Sequence, residues 1–297
     1  MILFWHGIDE IKTYAITGNL SPGVVLGGLT VEWTKDAENA VKKVPFFVRK
    51  KVRARVEAQV AETGKKTVTL TDVKTAQKRH LQKMSEEIKG YQIDTCFGPG
   101  GCPNRTVHSE GLLERIEKMI VAEDLLSFLK QHVPGDLKYH HEFRITLAEC
   151  PNACSQPQIK DMGIIGAVVP GITNEACSGC EACIDVCPDN CIRLQDSPQK
   201  PEIDLDRCMA CGKCVGVCPT QTIQGVEKGF RVQLGGKLGR HPQLARELPG
   251  VYPEEKVLDI VHYCINFYKR NSRQGERFAQ IFKKSDFDFL VEKLRHD

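Results

Sequence analysis

The spacing of hydrophobic positions changes character several times along the chain. Residues 1–30 are apolar and glycine-rich, with Ser21-Pro22-Gly23 and Gly27-Gly28 as turn signals, and predict a short N-terminal strand segment. Residues 31–90 turn helical. Thr34 is placed to cap a helix over Lys35–Val44, and Pro45 opens a second that carries Phe46, Phe47, Val48, Val52, Val56 and Val60 to a stop at Gly64. Thr67–Leu70 reads as extended, and Thr71 can cap a third helix reaching Lys89. Further on, Leu112, Leu113, Ile116, Met119 and Ile120 have helical spacing, followed by Leu125, Leu126, Phe128 and Leu129. Phe143, Ile145 and Leu147 alternate as a strand that leads into Cys150, and Arg231–Leu234 is a strand ending in the Gly235-Gly236 turn. Glu254–Arg270 is amphipathic through Val257, Ile260, Val261, Cys264 and Phe267, and Phe278, Ile281, Phe282, Phe287 and Leu290 predict a last helical hairpin.

Composition adds bounds. A chain of 297 residues accommodates two or three domains. Hydrophobic residues at 41% and charged residues at 27% match a soluble globular protein, and a net charge of +3 is too small to imply nucleic acid. The apolar run Met1–Trp5 is short and lacks a preceding basic region, so no signal peptide is expected. Met162–Ile172 is interrupted by Gly163, Gly166, Pro170 and Gly171 and is too short to span a bilayer. A reducing cytoplasm is the expected location. Residues 31–90 hold fifteen Lys and Arg against eight Asp and Glu; such a block is a solvated helical face or a docking surface for an acidic partner or anionic substrate.

Fourteen cysteines change the picture most. Most sit in C-x2-C repeats, which point to metal rather than to disulfides. Cys177-x2-Cys180-x2-Cys183-x3-Cys187-Pro188 recurs as Cys208-x2-Cys211-x2-Cys214-x3-Cys218-Pro219. This is the bacterial ferredoxin spacing, in which the fourth cysteine of each run serves the other cluster. One [4Fe-4S] cluster would then take Cys177, Cys180, Cys183 and Cys218, and the other Cys208, Cys211, Cys214 and Cys187. A separate set, Cys96 and Cys102 with Cys150 and Cys154, can converge on a third, since each iron of such a cluster takes one thiolate. Cys191 and Cys264 lie outside these patterns and are expected as buried thiols. Two centres in series form a wire, which implies a donor and a sink.

The residues around the third set carry a resemblance. Cys96-Phe97-Gly98-Pro99-Gly100-Gly101-Cys102, Glu149-Cys150-Pro151-Asn152-Ala153-Cys154 and Asp161-Met162-Gly163-Ile164-Ile165-Gly166 resemble the sirohaem-binding half of sulfite and nitrite reductases. The layout is similar to the sirohaem subunit of anaerobic sulfite reductases, where a two-cluster ferredoxin follows the Gly-Ile-Ile-Gly segment and the family resumes at Arg231-Val232-Gln233-Leu234-Gly235-Gly236-Lys237. The resemblance implies an α+β fold: a sirohaem/[4Fe-4S] reductase-type α/β domain from residues 91–172 and 226–297, an inserted ferredoxin domain over 173–225 and a small N-terminal helical module. It implies a bridge from Cys154 to sirohaem iron and a six-electron reduction of sulfite to sulfide, or of nitrite to ammonia.

An oxyanion substrate needs cations to bind it and to supply protons, and Arg105, Lys138, His140, His141 and Arg144 are the candidates. Gly235, Gly236, Lys237 and Arg240 are candidates for holding sirohaem. The implied partners are a small inorganic anion and an electron-donor protein or subunit, within an oligomer or multisubunit complex, without nucleic acid or a membrane span. No Gly-rich nucleotide fingerprint follows a strand, so a flavin or nicotinamide module would belong to another chain.

A second resemblance covers residues 31–85. Trp33-Thr34-Lys35-Asp36-Ala37-Glu38 and Val44-Pro45-Phe46-Phe47-Val48-Arg49-Lys50 resemble the C-terminal helical domain of the light-independent protochlorophyllide reductase B subunit. That module occupies the place where sulfite reductases carry a half-domain with a basic Thr-Thr-Arg-type strand. Two other readings follow: a non-catalytic three-cluster electron-transfer subunit, and a tetrapyrrole-handling reductase.

Overall fold

The Thr34 hydroxyl accepts the Ala37 amide at 3.4 Å and starts α1 (Lys35–Lys42) in a computed structural model that describes residues 31–196 and 199–296. The strand expected within residues 1–30 lies outside the described residues. The chain divides into two compact units, 1–81 and 82–297.

In the first unit, β1 (Glu32–Trp33) pairs in parallel with β2 (Thr67–Val68). Gly64, at φ +73°, follows α2 (Phe46–Glu62) and ends it where the sequence predicts. α3 (Leu70–Glu86) is capped by Thr69 rather than Thr71. Thr69 N and Oγ1 donate to Asp72 Oδ2 at 2.9 and 2.6 Å, and the Asp72 amide faces Thr69 Oγ1 at 3.4 Å. A reciprocal cap needs an acceptor three residues on; from Thr71 that position is Lys74, which cannot accept. Ala37, Val41, Val56, Val60, Val68, Val73 and Ala76 form this unit's core. Phe46 and Phe47 stay 82% and 74% exposed.

The second unit is built on a five-stranded sheet. Its strands are β3 (Tyr91–Thr95), β4 (Phe143–Ala148), β5 (Met162–Ile172), then β8 (Ile223–Leu234) and β9 (Arg246–Glu247), hydrogen-bonded in that order. β3, β4 and β5 run parallel, and β8 returns antiparallel along β5. Alternation along β4 sends Phe143, Ile145 and Leu147 to a core shared with Leu112, Ile116 and Ile120 of α4 (Glu110–Ala122) and Leu125 and Leu129 of α5 (Leu125–His132). α8 (Glu254–Asn271) adds Val257, Val261 and the fully buried Cys264. The predicted hairpin forms as α9 (Phe278–Ile281) and α10 (Lys284–His296), with Phe278, Phe282 and Leu290 buried.

Between β5 and β8 lie α6 (Ala182–Asp185), the hairpin β6 (Ile192–Asp196)–β7 (Gln199–Ile203), and α7 (Lys213–Val217). The two cysteine runs repeat in backbone as well as in sequence: Gly179 and Ala210, Glu181 and Gly212, and Asn190 and Gln221 all take positive φ at matching positions. This segment leaves from the carboxyl end of β5, on the side of the sheet where β3 and β4 also end.

Candidate metal centre

Cys96 follows β3 and Cys150 follows β4, so parallel pairing delivers both cysteines to the same sheet end; Thr95 is in register with Leu147. The Cys96 amide donates to the Leu147 carbonyl at 3.0 Å. A turn over Gly98–Gly100 then returns the chain to Cys102. On the other side, Ala153 at φ 52° bends the short loop from Cys150 to Cys154. The structure brings these four thiols together: burial raises the Cys150 thiol pKa, and Cys96, Cys154 and Cys102 add to the rise by their proximity. Cys150 is buried, Cys96 and Cys102 half-buried, and Cys154 exposed.

The inserted segment makes two further groups. Cys183 is raised by burial, with Cys177 and Cys218 as the thiol neighbours that add to it. Cys208 is raised by burial with Cys211 and Cys187 beside it, and Cys214 is pushed up to about 12 by burial, with Cys208 and Cys211 next. Cys187 therefore groups with the second run and Cys218 with the first. Cys180, next in its run, is exposed. One small cavity is lined by Cys187, Cys208, Cys211 and Cys214.

The chemistry of these groups fits iron–sulfur clusters, since each gathers cysteine thiols and a [4Fe-4S] cluster takes one thiolate per iron. Backbone amides also aim at the sulfurs: Gly98 and Glu149 donate to Cys96 Sγ at 3.3 Å each, Gly179 to Cys177 and Ala210 to Cys208 at 3.4 Å, and Ile223 to Cys218 at 3.4 Å. Such donors stabilise the ligating thiolate and tune the centre.

A buried carboxylate that sequence reasoning missed supports the first set. Glu149 is fully buried, and its Oε1 accepts from Arg105 Nη2 at 3.0 Å, Ser109 N at 3.0 Å and Ser109 Oγ at 2.8 Å. Arg105 Nε lies 2.9 Å from Oε2 as an ion pair outside hydrogen-bond alignment, and its Nη2 also reaches Glu110 at 2.6 Å. Hydrogen bonding to Glu110 is the main reason the Arg105 pKa is raised. A Cβ at Gly98 would fall 1.9 Å from Glu149 Oε2, so only glycine lets the Cys96 turn approach. An acid directly after the apolar strand and directly before Cys150 was the available signal.

The other candidate cations lie elsewhere. Arg144 opens β4, six residues before Cys150, or roughly 20 Å along an extended chain. Its amide donates to Asp161 Oδ2 at 3.0 Å, and its guanidinium to the Tyr139 carbonyl at 3.0 Å. Asp161 is buried, which raises its pKa, and Arg277 Nη2 stands 3.5 Å from its Oδ1. His140 is lowered by partial burial, then by Lys138, Arg277 and Arg144; His141 falls to about 4, by burial first and His140 next. Lys138, His140, His141 and Arg144 thus gather with Arg277 at the start of β4, and Arg105 alone of the five candidates stands beside the cysteines.

Gly235 and Gly236 follow β8. Their amides donate to the Asp161 and Lys160 carbonyls at 2.9 and 2.8 Å, and a Cβ on Gly236 would meet the Gln158 carbonyl at 2.5 Å. They therefore pack on the segment that leaves Cys154. Lys237 pairs backbone with Gln243, and Arg240 is exposed.

Residues 89–297 match the nitrite and sulphite reductase 4Fe-4S domain. The chain belongs to that family. Residues 33–77 match the proto-chlorophyllide reductase 57 kD subunit. The coenzyme F420-dependent sulfite reductase of Methanocaldococcus jannaschii is 31% identical over 202 residues, 67% of this chain and 30% of that protein. The anaerobic sulfite reductase C subunit of Salmonella typhimurium is 29% identical over 100 residues, 34% of this chain and 25% of that one. The light-independent protochlorophyllide reductase B subunit of Prosthecochloris aestuarii is 44% identical over 64 residues, 22% of this chain and 12% of that one. The chain thus spans under a third of each of these relatives. Among the described residues no helix is long and apolar enough to cross a membrane.

Proposed function

We propose that this chain is the sirohaem- and iron–sulfur-bearing part of a sulfite reductase, carrying out the six-electron reduction of sulfite to sulfide, with nitrite to ammonia as the alternative substrate reaction. The observation that carries the reading is the four-thiol set at the ends of β3 and β4, with one member, Cys154, left exposed. Cys96, Cys102, Cys150 and Cys154 would hold one [4Fe-4S] cluster, and Cys154 would bridge to sirohaem. When bound, these groups supply stored electrons and an iron at which the substrate is reduced. Residues 91–172 and 226–297 form the reductase domain, and 173–225 a two-cluster ferredoxin insertion.

The chain's own residues order the relay. Thr106 Oγ1 donates to the Cys211 carbonyl at 3.1 Å while the Thr106 amide donates to the Glu149 carbonyl at 2.8 Å. Val168 N reaches the Ala210 carbonyl at 2.8 Å, and Arg231 reaches that of Met209 at 3.1 Å. The group of Cys187, Cys208, Cys211 and Cys214 is therefore the inner station, and that of Cys177, Cys180, Cys183 and Cys218 the outer one, facing an electron-donor subunit. Arg105 holds Glu149 and the Cys96 turn in place. With Lys138, His140 and Arg144 at the far end of β4 and Arg105 beside the cysteines, further cations to bind the substrate anion and deliver protons would come from outside this sheet end, as from a partner subunit. Gly235 and Gly236, packed on the segment after Cys154, would keep the backbone close there, and Lys237 and Arg240 beyond them would pair with the sirohaem carboxylates.

The test is an absorption spectrum with iron analysis of anaerobically purified protein. Tetrapyrrole bands with about twelve iron atoms per chain are expected from three [4Fe-4S] clusters. Iron without tetrapyrrole would overturn the catalytic reading in favour of an electron-transfer subunit.

A further inference from the structure

The cavity of the inner station is lined by five cysteines, not four: Cys191 joins Cys187, Cys208, Cys211 and Cys214. Cys191 is 5% exposed, and its amide donates to Cys187 Sγ at 3.3 Å. The Cys191 thiol itself stands 3.7 Å from the Asp189 carbonyl, a weak partner.

The internal repeat supplies a comparison within the same molecule. Cys187-Pro188-Asp189-Asn190-Cys191-Ile192 corresponds to Cys218-Pro219-Thr220-Gln221-Thr222-Ile223, with Asn190 and Gln221 at φ 50° and 56°. The position of Cys191 is thus taken by Thr222 at the outer station. There the hydroxyl is spoken for, bonding the Ala176 carbonyl at 3.2 Å and Thr220 at 2.8 Å. The inner station alone has a spare soft ligand beside its fourth cysteine.

We propose that Cys191 is a reserve ligand of the inner cluster, able to take over the iron that Cys187 holds. This rests on the reading that the insertion binds clusters. When residue 187 lacks a sulfur, the iron–sulfur bond forms to Cys191 instead, whose thiol proton leaves to solvent. One thiolate replaces another, so the charge of the ligand set is unchanged and no electron moves. The backbone bend at Asn190 already brings residue 191 to the cavity, so the exchange asks for a side-chain rotation rather than a refolded loop.

The experiment measures iron and acid-labile sulfide in the full chain, with low-temperature electron paramagnetic resonance of the dithionite-reduced protein. Cys187→Ala is expected to keep the wild-type iron content with an altered resonance, and Cys187→Ala/Cys191→Ala to lose about four irons. Cys218→Ala, with no reserve, is expected to lose the same amount. The proposal is overturned if Cys187→Ala loses as much iron as the double variant. Should Cys187→Ala not fold, Cys218→Ala/Thr222→Cys asks the question in reverse: regained iron supports a ligand-competent position, and no gain over Cys218→Ala removes it. If Cys208→Ala/Cys211→Ala loses no iron, the cluster reading of the insertion falls first, and this inference with it.

Discussion

The side-chain hydroxyl of Thr106 donates to the main-chain carbonyl of Cys211 at 3.1 Å, joining a loop of the cysteine-bearing sheet end to the inserted segment. Thr106 is also tied through its amide to Glu149, the residue before Cys150. Thr106→Val keeps the shape and removes the hydroxyl. A net hydrogen bond of about 1 kcal/mol corresponds to a fall of about fivefold in the docking equilibrium constant. Reoxidation by sulfite of protein reduced with a stoichiometric amount of reduced methyl viologen, followed by stopped flow, is expected to slow by up to that factor with iron content unchanged. An unaltered rate would show that this contact does not govern the passage of electrons.

Glu149 is predicted to be the residue whose loss costs the first cysteine set most. Truncating it leaves Arg105, 20% exposed, with only the exposed Glu110 as partner, and strands the Ser109 amide and hydroxyl. Breaking a buried pair costs about 3–5 kcal/mol, and the partial exposure of Arg105 puts Glu149→Ala near the lower figure. Glu149→Gln, which keeps the shape, is expected to cost about 1–3 kcal/mol. Gly98→Ala acts from the opposite side by driving a methyl into the same carboxylate. Urea unfolding with iron analysis checks all three; a Glu149→Ala midpoint equal to wild type would remove its structural role.

The cysteine pattern was readable because ligand spacing is a covalent constraint. A C-x2-C run fixes which sulfurs can converge whatever the surrounding fold, and the doubled run of Cys177–Cys187 and Cys208–Cys218 announces its own exchange of fourth cysteines. Phe143, Ile145 and Leu147 were legible because the polar Arg144 and Thr146 alternate with them, although Thr146 and Ala148 on the other face of β4 are buried too. Long-range polar partners leave no such trace. The pairing of Glu149 with Arg105 joins residues far apart in sequence, and nothing local to either names the other. Lys138, His140 and Arg144 were sequence neighbours of the cysteines, yet β4 carries them away because a strand separates its two ends as far as a chain can. The Thr69 cap was within reach, since the acid at Asp72 selects it over Thr71.

Cys154 tests the catalytic reading directly. It is the exposed member of its set, and so the one best placed to offer its sulfur to a group outside the cluster. Cys154→Ser replaces a soft, polarisable ligand by a hard one. The expected outcome is loss of most tetrapyrrole absorption and of viologen-linked sulfite reduction, while the iron of the two groups in the insertion, about eight atoms, stays. Unchanged tetrapyrrole and activity in this variant would mean that Cys154 does not bridge.

The helical module offers a prediction with a pH dependence. Asp72 is held at about 2, well under the ordinary carboxylate value, by hydrogen bonds from the Thr69 hydroxyl and amide, with Lys65 at 3.0 Å adding to it. A carboxylate lowered on folding stabilises the folded state fully above its unfolded pKa near 4, and that stabilisation fades as the pH falls toward 2. Screening by solvent and the usual worth of such a cap set the contribution at about 1 kcal/mol. In the full chain at pH 7, Asp72→Ala is therefore expected to speed amide exchange in the first turns of α3 about fivefold over wild type. The ratio of the two rates, which cancels the intrinsic pH dependence of exchange, is expected to shrink toward one between pH 4 and pH 2. A ratio that stays constant across that window would show that the Asp72 charge contributes nothing to the cap.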